Sequence, residues 1–339
     1  MKLLTFAEAL AQTAEVKRHL LLGNGFSIAC RPGIFVYKKL FEQADFGQLS
    51  PTAKRAFEAL ATQDFEQVIK ALRATRTLAG VYGGTYDATL AQFLADADGL
   101  RELLVQTIAA SHPAWPGEIA DEEFLACRAF LAHFANIYTL NYDLLLYWTV
   151  MHVPEGEKPT SDDGFRTPED DPEAGYVVWE PGNSKGQNLW FLHGALHLFD
   201  TGLEVQKYTW CNTGERLIEQ IRRALGQDYF PIFVSEGTSR EKMMRIRHND
   251  YLGKAYRSFS EIGGALFIYG HSLAANDEHF LKRIEKGKIT QLYVGIYGDP
   301  QADANKAIIR RAQQMADNRP RLNLKVFFYD AASAKVWGK

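Results

Sequence analysis

The sequence has 339 residues, of which 46% are hydrophobic and 23% are charged, and its formal net charge is −3. These values are typical of one large α/β domain or two smaller ones, and the weakly negative charge gives no basic field for unspecific nucleic-acid binding. The three cysteines, Cys30, Cys127 and Cys211, form no C-x-x-C pair, which excludes a zinc ribbon and a disulfide framework. No signal-peptide pattern opens the chain, and no apolar run approaches the roughly 20 residues that span a bilayer. We therefore expect a cytoplasmic protein.

The N-terminal part is predicted to form a helix followed by a buried strand. Thr5 and Glu8 have the spacing of a capping box, which predicts a helix from about Phe6 to Val16. The apolar run 19–22 then enters the glycine turn GNGFS, residues 23–27. Glycines after a strand let the backbone approach a phosphate group, and a following helix offers N–H groups to it. A single Gly-x-Gly is also common in an ordinary strand-to-helix turn, so both interpretations stay open.

A helical layer of about residues 38–134 is predicted between the first and the second strand. Ser50-Pro51 has the pattern of an N-cap followed by a proline in the first helical position. Apolar residues recur with three-to-four spacing from Leu90 to Ile108 and from Phe124 to Phe134, which indicates amphipathic helices.

The stretch NIYTLNYD, residues 136–143, is the strongest candidate for a functional centre. It is predicted to be a buried strand that ends with Asn141 and Asp143, where a helix begins. Open α/β sheets bind ligands at the carboxyl ends of their strands, so these side chains are placed where a ligand is expected. An Asn-x-Asp after a strand is also often only a helix cap or a turn, and Asp143 can serve both purposes.

An acidic loop is predicted at about residues 154–175. This stretch has eight carboxylates against one lysine and one arginine, and it is rich in proline and glycine. Such a composition favours a flexible, solvated loop, and a loop that contacts a partner is the alternative.

Strands and helices alternate from about residue 188 to the end of the chain. This alternation predicts an α/β fold with a Rossmann-like, mainly parallel sheet of about seven strands and helices on both faces. The whole chain, 1–339, is interpreted as one domain with the helical layer as an insertion. The later strands are predicted in NLWFLHG, YFPIFVSEG, GALFIYGHSL, ITQLYVGIYGD and LNLKVFFYD.

Polar residues follow several of these strands. His193-Gly194 ends one strand, and a histidine there can accept a hydroxyl proton near neutral pH, although a hydrogen-bonded core histidine is the alternative. Glu236 follows a neighbouring strand and is expected to reach the same crevice. His193 and His197 would form a metal pair only on a helix, and no third ligand stands out, so we predict no metal. The stretch after the next strand contributes Gly270, His271, Ser272 and Asp277.

This set of motifs resembles that of the sirtuin-like family, in its bacterial branch without the zinc module. The shared order is Gly-x-Gly with a nearby Ser, then Asn-x-Asp, then His-Gly, and then Gly-x-Ser after a strand; here they are GNGFS, NYD, HG and GHSL. The resemblance covers about residues 20–299 through these short motifs. The first turn has Gly-Asn-Gly where the family usually has Gly-Ala-Gly, and the four-cysteine zinc site of protein deacylases is absent, so deacylation is not expected.

The resemblance implies that NAD is the substrate and that no metal takes part. Asn141 would position the nicotinamide ribose and the attacking water, Asp143 would contact the carboxamide, and His193 would be the base on a ribose hydroxyl. The residues implied to bind the pyrophosphate are Gly23, Asn24, Gly25 and Ser27. The residues implied to bind a phosphate or the adenosine ribose are Gly270 and Ser272.

The first functional hypothesis is therefore NAD hydrolysis to nicotinamide and ADP-ribose. The resemblance implies a gated effector of antiphage defence that works in a homo-oligomer or beside a partner defence protein, without a membrane. The alternative is a non-catalytic sensor that binds NAD or ADP-ribose in a larger assembly. A dehydrogenase is less favoured because the full glycine fingerprint and its acidic residue are missing. One predicted helical stretch is rich in basic residues, namely Arg240, Lys242, Arg245, Arg247, Lys254 and Arg257. We expect these residues to form a solvated face, and we expect no direct nucleic-acid binding.

Overall fold

The structure is a computed structural model. It describes residues 2–32, 40–82, 87–110, 112–113, 115–154, 156, 158–208, 216–234, 238–319 and 323–339. Within these ranges the α-helices are α1 (Phe6–Gln12), α2 (Gly25–Cys30), α3 (Leu40–Gln43), α4 (Pro51–Ala59), α5 (Phe65–Tyr82), α6 (Asp87–Ala110), α7 (Asp121–Leu131), α8 (Leu145–Met151), α9 (Leu217–Gly226), α10 (Ser239–His248), α11 (Asp250–Glu261), α12 (Glu278–Lys286) and α13 (Asp303–Asp317). The strands are β1 (Arg18–Leu22), β2 (Asn136–Thr139), β3 (Phe165–Arg166), β4 (Tyr176–Trp179), β5 (Leu189–Phe191), β6 (Gly194–Asp200), β7 (Val205–Tyr208), β8 (Phe230–Phe233), β9 (Gly263–Tyr269), β10 (Lys288–Ile296) and β11 (Lys325–Asp330).

Both predicted helix starts are confirmed by their capping bonds. The Thr5 hydroxyl accepts a hydrogen bond from Glu8 N at 3.1 Å, and the Glu8 carboxylate accepts one from Thr5 N at 2.7 Å. Ser50 caps α4 by accepting from Ala53 N at 3.3 Å. Helix α1 is shorter than predicted, because Thr13 becomes its C-cap and its hydroxyl donates back to the Ala9 carbonyl at 3.0 Å.

The larger sheet has six parallel strands in the order β11-β10-β9-β1-β2-β5. When the six strands are numbered along the chain and the sheet is read from its β5 edge, the order is 3-2-1-4-5-6, which is the strand order of the Rossmann fold. The order reverses between β1 and β9. The carboxyl ends of these two strands therefore flank the position where such sheets bind ligands.

Side chains on both faces of this sheet are buried. Leu20 and Leu21 are adjacent in β1 and point to opposite faces, and neither is exposed to solvent. Leu266 and Phe267 in β9 show the same pattern. Such strands are typical of a parallel sheet that is covered by helices on each side. Within the described ranges, no helix is long and apolar enough to cross a bilayer.

A second, antiparallel sheet has the order β3-β4-β7-β6-β8 and was not predicted. Six of the seven predicted strands lie in the parallel sheet, but the strand in YFPIFVSEG is β8, an edge strand of this second sheet. Pro231 suits an edge because proline cannot donate a ladder hydrogen bond. Strand β7 could not be recognised in the sequence, because its residues Gln206 and Lys207 are polar although they are buried.

The predicted acidic loop contains the short strand β3 and two ion pairs. Lys207 Nζ lies 2.5 Å from the Asp163 carboxylate, and Arg166 lies 2.6 Å from that of Asp162. The Asp163 pair is largely buried, so this carboxylate neutralises a lysine inside the second sheet. Some of the acidic residues of this stretch therefore stabilise the packing of the second sheet.

Candidate functional site

The loops after β1 and β9 meet at the point where the strand order reverses. Gly23 N donates to the Tyr269 carbonyl at 2.9 Å, and Gly25 N donates to the Gly270 carbonyl at 2.8 Å. A Cβ atom on Gly23 would lie 2.7 Å from the Gly270 oxygen, and one on Gly25 would lie 2.6 Å from Gly270 Cα. Gly270 itself has a φ of +71°. Only glycines allow the two loops to approach so closely.

The N–H groups at the start of α2 are engaged in hydrogen bonds within the protein. Besides Gly25 N, Phe26 N donates to the Gly23 carbonyl and Ser27 N to the Asn24 carbonyl, each at 3.0 Å. We had expected these groups to face a phosphate. In this structure the glycines serve the contact between the two loops, and a phosphate would have to share or replace these bonds.

Ser27, Asn141 and Asp143 form one buried hydrogen-bond network beside this loop contact. The Ser27 hydroxyl donates to Asp143 Oδ2 at 2.5 Å, and Asn141 Nδ2 donates to both Ser27 Oγ and the Gly23 carbonyl at 3.0 Å. The Gly23 carbonyl can only accept, which fixes the orientation of the Asn141 amide. Asp143 Oδ1 accepts from Leu145 N at 2.9 Å and so also caps α8.

Burial raises the pKa of Asp143 to about 6, against the opposing hydrogen bonds from Ser27 and Leu145. A buried carboxyl loses the solvation of its charge, so its neutral form is favoured. Asp143 consequently changes its charge close to neutral pH. The predicted polar end of β2 is therefore a titrating group, in addition to being a helix cap.

His112 supports the turn between Asn141 and α8, and no sequence pattern predicts this role. Its Nε2 accepts from Leu144 N at 3.0 Å, and its Nδ1 lies 2.9 Å from the Pro113 carbonyl. Because a carbonyl only accepts, Nδ1 carries the proton and Nε2 is free to accept. Burial lowers the pKa of His112 to about 4, in agreement with this neutral ring.

His193 lies at the junction of the two sheets. Leu192 N donates to the Thr139 carbonyl of the parallel sheet, and Val234 N donates to the His193 carbonyl from beyond β8, each at 2.8 Å. Gly194 has a φ of +74°, and a Cβ there would collide with the Ile232 carbonyl. A glycine at position 194 is thus required for the chain to pass from β5 into β6.

The His193 ring is buried, with 4% of the residue exposed. Burial lowers its pKa to about 3, so the ring is neutral at physiological pH. Its Nε2 lies 3.6 Å from Asp277 Oδ1 and has no hydrogen-bond partner among the described residues. A pKa this low makes His193 a weaker proton acceptor than the sequence predicts, although the ring is neutral and has one lone pair to offer.

Asp277 connects His193 to two further polar residues. Lys242 Nζ donates to Asp277 Oδ1 at 2.9 Å, and His271 Nε2 lies 3.1 Å from Oδ2. His271 Nδ1 accepts from Leu273 N, so its Nε2 carries the proton and donates it to Asp277. Burial raises the pKa of Asp277, but the His271 bond and the charges around it, including Lys242, outweigh this effect and hold the pKa well below its usual range.

The sequence profile of a family described as a domain of unknown function, DUF4917, matches residues 20–337. The chain belongs to the DUF4917 family. A comparison with curated proteins finds no match.

Two solved structures are similar over most of their length. One is a Sir2 homologue mutant in complex with ADP-ribose, with 14% identity, a TM-score of 0.34 and coverage of 91% of this chain and 96% of that one. The other is a Sir2 mutant with a deacetylated p53 peptide and 3′-O-acetyl-ADP-ribose, with 12% identity, a TM-score of 0.33 and coverage of 92% and 98%. At these TM-scores, neither structure transfers its ligand to the DUF4917 chain.

The DUF4917 chain brings most of the predicted site residues together in two adjoining groups. Gly23, Gly25, Ser27, Asn141, Asp143 and Gly270 form the loop contact and the buried network described above. His193 belongs to the second group, around Asp277, and His271 joins the groups because its Cα would lie 2.7 Å from a Cβ on Gly23.

The remaining predicted residues of the DUF4917 chain differ in their positions. Asn24 is half-buried within the glycine turn, where its carbonyl accepts from Ser27 N, and Ser272 is exposed. Glu236 lies outside the described residues, and the strand before it, β8, belongs to the second sheet. His197 is buried within β6 and stacks on Tyr147 at 4.5 Å.

Lys242 is the residue for which the sequence was most misleading. It was assigned to a solvated basic face, yet only 3% of it is exposed and it pairs with Asp277. Asp277 was noted only as a polar residue after a strand. The 35 residues that separate the two in the chain leave no local pattern that could have predicted the pair.

Proposed function

We propose that this chain is an NAD hydrolase, which cleaves the nicotinamide–ribose bond to give nicotinamide and ADP-ribose. The observation that carries the proposal is the buried Ser27–Asn141–Asp143 network beside the point where a Rossmann-ordered sheet reverses, with a neutral histidine at the next strand end. The order of the sequence motifs supports the same function. The weakly similar solved structures add nothing to it.

Cleavage of this bond passes through an oxocarbenium-like state, as in glycoside hydrolysis generally. In the proposed mechanism, Asn141 Oδ1 holds the attacking water, because the amide nitrogen is already used to fix the loop. His193 Nε2 accepts a proton from a ribose hydroxyl. Asp143 and Ser27 keep the Asn141 amide in place for the carboxamide end of NAD. The water adds its oxygen to the sugar carbon while the bond to nicotinamide breaks, and nicotinamide leaves as a neutral base. The proton that the water loses returns to the ribose oxygen, the proton held by His193 is released to solvent, and no metal takes part.

The phosphates of NAD are proposed to lie over the glycine turn, Gly23, Asn24, Gly25 and Ser27. The adenosine side is proposed to lie near Gly270 and Ser272, of which Ser272 is exposed and free to turn toward a ligand. Because some N–H groups of α2 are already bonded, this arrangement requires a small rearrangement of the first turn when NAD binds. We further propose that the protein is a cytoplasmic, gated effector of antiphage defence that acts in an oligomer or with a partner protein.

The test is to incubate the purified full chain with NAD and to follow nicotinamide and ADP-ribose by chromatography. Asn141→Ala removes the water-holding group and is expected to lower the rate about a hundredfold. The matched control is Asn136→Ala, at the opposite end of the same strand, where the side chain contacts His19 at 3.0 Å. This control is expected to keep the rate. Thermal unfolding of each variant separates lost chemistry from lost folding.

His193→Ala is the second variant and is expected to abolish nicotinamide release. Wild-type rates in both Asn141→Ala and His193→Ala would rule out this site. Release of nicotinamide at the same rate from a heat-denatured sample would assign the activity to a contaminant or to spontaneous decay.

The second candidate is a non-catalytic sensor of NAD or ADP-ribose. It is favoured by one observation, namely that the Asn141 amide nitrogen and both Asp143 oxygens are already held in internal hydrogen bonds. Saturable binding of NAD in a calorimetric titration, without any nicotinamide release, would support the sensor. Absence of both binding and release would rule out both candidates.

A further inference from the structure

Three buried side chains beyond the glycine turn converge on one point. His193 follows β5, Asp277 precedes α12, and His279 lies in the first turn of α12. One ring nitrogen of each histidine and one carboxylate oxygen of Asp277 all lie within 4.8 Å of one another. We call these three residues the His193 cluster. His193 Nε2 and Asp277 Oδ1 lie 3.6 Å apart.

Two nitrogens of the His193 cluster are buried without a hydrogen bond. Among the described residues, neither His193 Nε2 nor His279 Nε2 has a partner, and the residues are only 4% and 7% exposed. Buried polar atoms are almost always paired, so two unpaired nitrogens beside one carboxylate offer positions for a bound group. A cation suits these positions, because it accepts lone pairs from neutral imidazoles and is attracted by a carboxylate.

The other side of the His279 ring is arranged as in a metal ligand. His279 Nδ1 lies 3.0 Å from Ser239 Oγ, which also accepts from His279 N at 3.0 Å. In the tautomer that donates from Nδ1 to Ser239, the lone pair lies on Nε2, the buried nitrogen that has no partner among the described residues. A hydrogen bond of this kind on the second nitrogen is the usual support of a metal-binding histidine.

We propose that the His193 cluster binds one transition-metal ion of the Zn²⁺ type through Nε2 of His193, Nε2 of His279 and a carboxylate oxygen of Asp277. Two imidazoles and one carboxylate are the ligands that Zn²⁺, Co²⁺ and Ni²⁺ prefer, whereas Mg²⁺ and Ca²⁺ prefer oxygen atoms alone. A fourth position would be left for water.

This ion would regulate the enzyme rather than assist it. It occupies the His193 nitrogen that the proposed function assigns to a ribose proton, so metal binding and NAD hydrolysis exclude each other. The regulatory part of the inference rests on the proposed function, but the binding of the ion does not.

Lys242 opposes the ion and sets its affinity. Its ammonium donates to Asp277 Oδ1 at 2.9 Å, while Asp277 Oδ2 accepts from His271 at 3.1 Å. A carboxylate oxygen has a second lone pair, so Oδ1 can bind an ion without losing Lys242. The buried positive charge nevertheless repels a divalent cation. Removing it in Lys242→Met should tighten metal binding by about tenfold or more.

The experiment treats the full chain with a chelator, removes the chelator by dialysis, and titrates the protein with Co²⁺ and Zn²⁺ in separate runs. Co²⁺ binding is followed by its visible absorption, and Zn²⁺ binding by calorimetry. We expect one ion per chain for wild type, a loss of binding in His279→Ala, and tighter binding in Lys242→Met. The matched control is His248→Ala, an exposed histidine at the end of α10, which should keep the binding.

The gain in Lys242→Met keeps the test decisive even if His279→Ala is unstable, provided that the variant binds one ion per chain and unfolds at the same temperature as wild type, because a misfolded chain would bind further ions through exposed histidines and cysteines. Absence of saturable binding in wild type, or equal loss in His248→Ala and His279→Ala, would overturn the proposal. The two proposals fail separately, because the titration contains no NAD. A protein that binds the ion but never releases nicotinamide keeps the metal site and loses the hydrolase function. A protein that hydrolyses NAD and binds no ion does the reverse.

Discussion

Asp143 shows at the scale of one residue how burial changes the chemistry of a common side chain. An aspartate after a strand is usually a cap, and Asp143 does cap α8 through Leu145 N. Its burial has the further effect of raising its pKa to about 6, so the carboxyl is partly neutral under conditions where most aspartates are ionised. Ser27 donates a short hydrogen bond to Asp143, so the charge of Asp143 also affects the network that contains Asn141.

This raised pKa predicts how stability depends on pH. The unfolded carboxyl titrates near 3.8 and the folded one near 6, so the folded state retains the proton longer. The contribution of Asp143 to the free energy of unfolding is fully present below about pH 4 and is lost as the pH rises toward 6. For a shift of two pKa units, this contribution is at most about 3 kcal/mol. Asp143→Asn has no such charge. We therefore expect wild type to become less stable relative to this variant between about pH 4 and 6, and no further above that range.

Urea unfolding of both proteins across this pH range measures the difference directly. Asp162→Asn is the opposing control, because the hydrogen bond from Arg166 lowers the pKa of Asp162. Relative to Asp162→Asn, the free energy of unfolding of wild type should decrease as the pH falls. A pH-independent difference between wild type and Asp143→Asn would show that folding does not raise the pKa of Asp143.

At the scale of one element, α2 depends on the C-terminus of the chain. Trp337 is 2% exposed, its Nε1 donates to the Phe26 carbonyl at 2.9 Å, and its ring lies 5.0 Å from that of Phe26. Helix α2 is only six residues long and carries Ser27 and the glycine turn. A helix this short is not stable by itself, so the tryptophan holds it in place.

Trp337→Ala is therefore expected to destabilise the protein by about 3–5 kcal/mol, since it removes a large buried ring and a hydrogen bond. Trp115→Ala is the matched control, because Trp115 is 46% exposed. That variant should cost less than about 1 kcal/mol. Urea unfolding gives both values. Equal losses in the two variants would mean that the C-terminal contact does not support α2.

The sequence predicted the elements whose signals are local. The capping box at Thr5, the cap at Ser50, and the apolar strands that end in Gly23 and Asn141 all depend on residues within one turn or one strand. Strand β8 was recognised but assigned to the wrong sheet, because an apolar run does not say which neighbour it pairs with.

The candidate site was predictable in its composition but not in its bonding. Polar residues at strand ends identified Asn141, Asp143 and His193, because parallel strands place their carboxyl ends along one edge. No sequence pattern predicts that Lys242 turns inward to Asp277, since a lysine in a basic helix usually faces solvent. Contacts between segments far apart in the chain have no local pattern, and they decide which of these polar groups remain free.

At the scale of the whole molecule, the crevice is assembled from distant parts of the chain. Gly23, Asn141 and Gly270 come from three strands that are adjacent in the sheet but separated by more than a hundred residues each in the sequence. A ligand that contacts all three loops binds only the folded chain. Its binding energy must then appear as resistance to unfolding.

Saturating NAD or ADP-ribose is therefore expected to raise the unfolding temperature, since a ligand at a hundred times its Kd adds about 2.7 kcal/mol to stability. Nicotinamide alone lacks the phosphates and should have little effect.

Gly23→Ala should remove the ligand-dependent part of the shift, because its Cβ would lie 2.7 Å from the Gly270 oxygen and force the loops apart. Gly80→Ala, where a Cβ meets nothing within 4 Å, should keep it. Both the hydrolase and the sensor need this shift, whereas only the hydrolase predicts that the NAD in the sample is consumed. An unfolding temperature that neither NAD nor ADP-ribose changes would mean that this crevice binds another class of ligand.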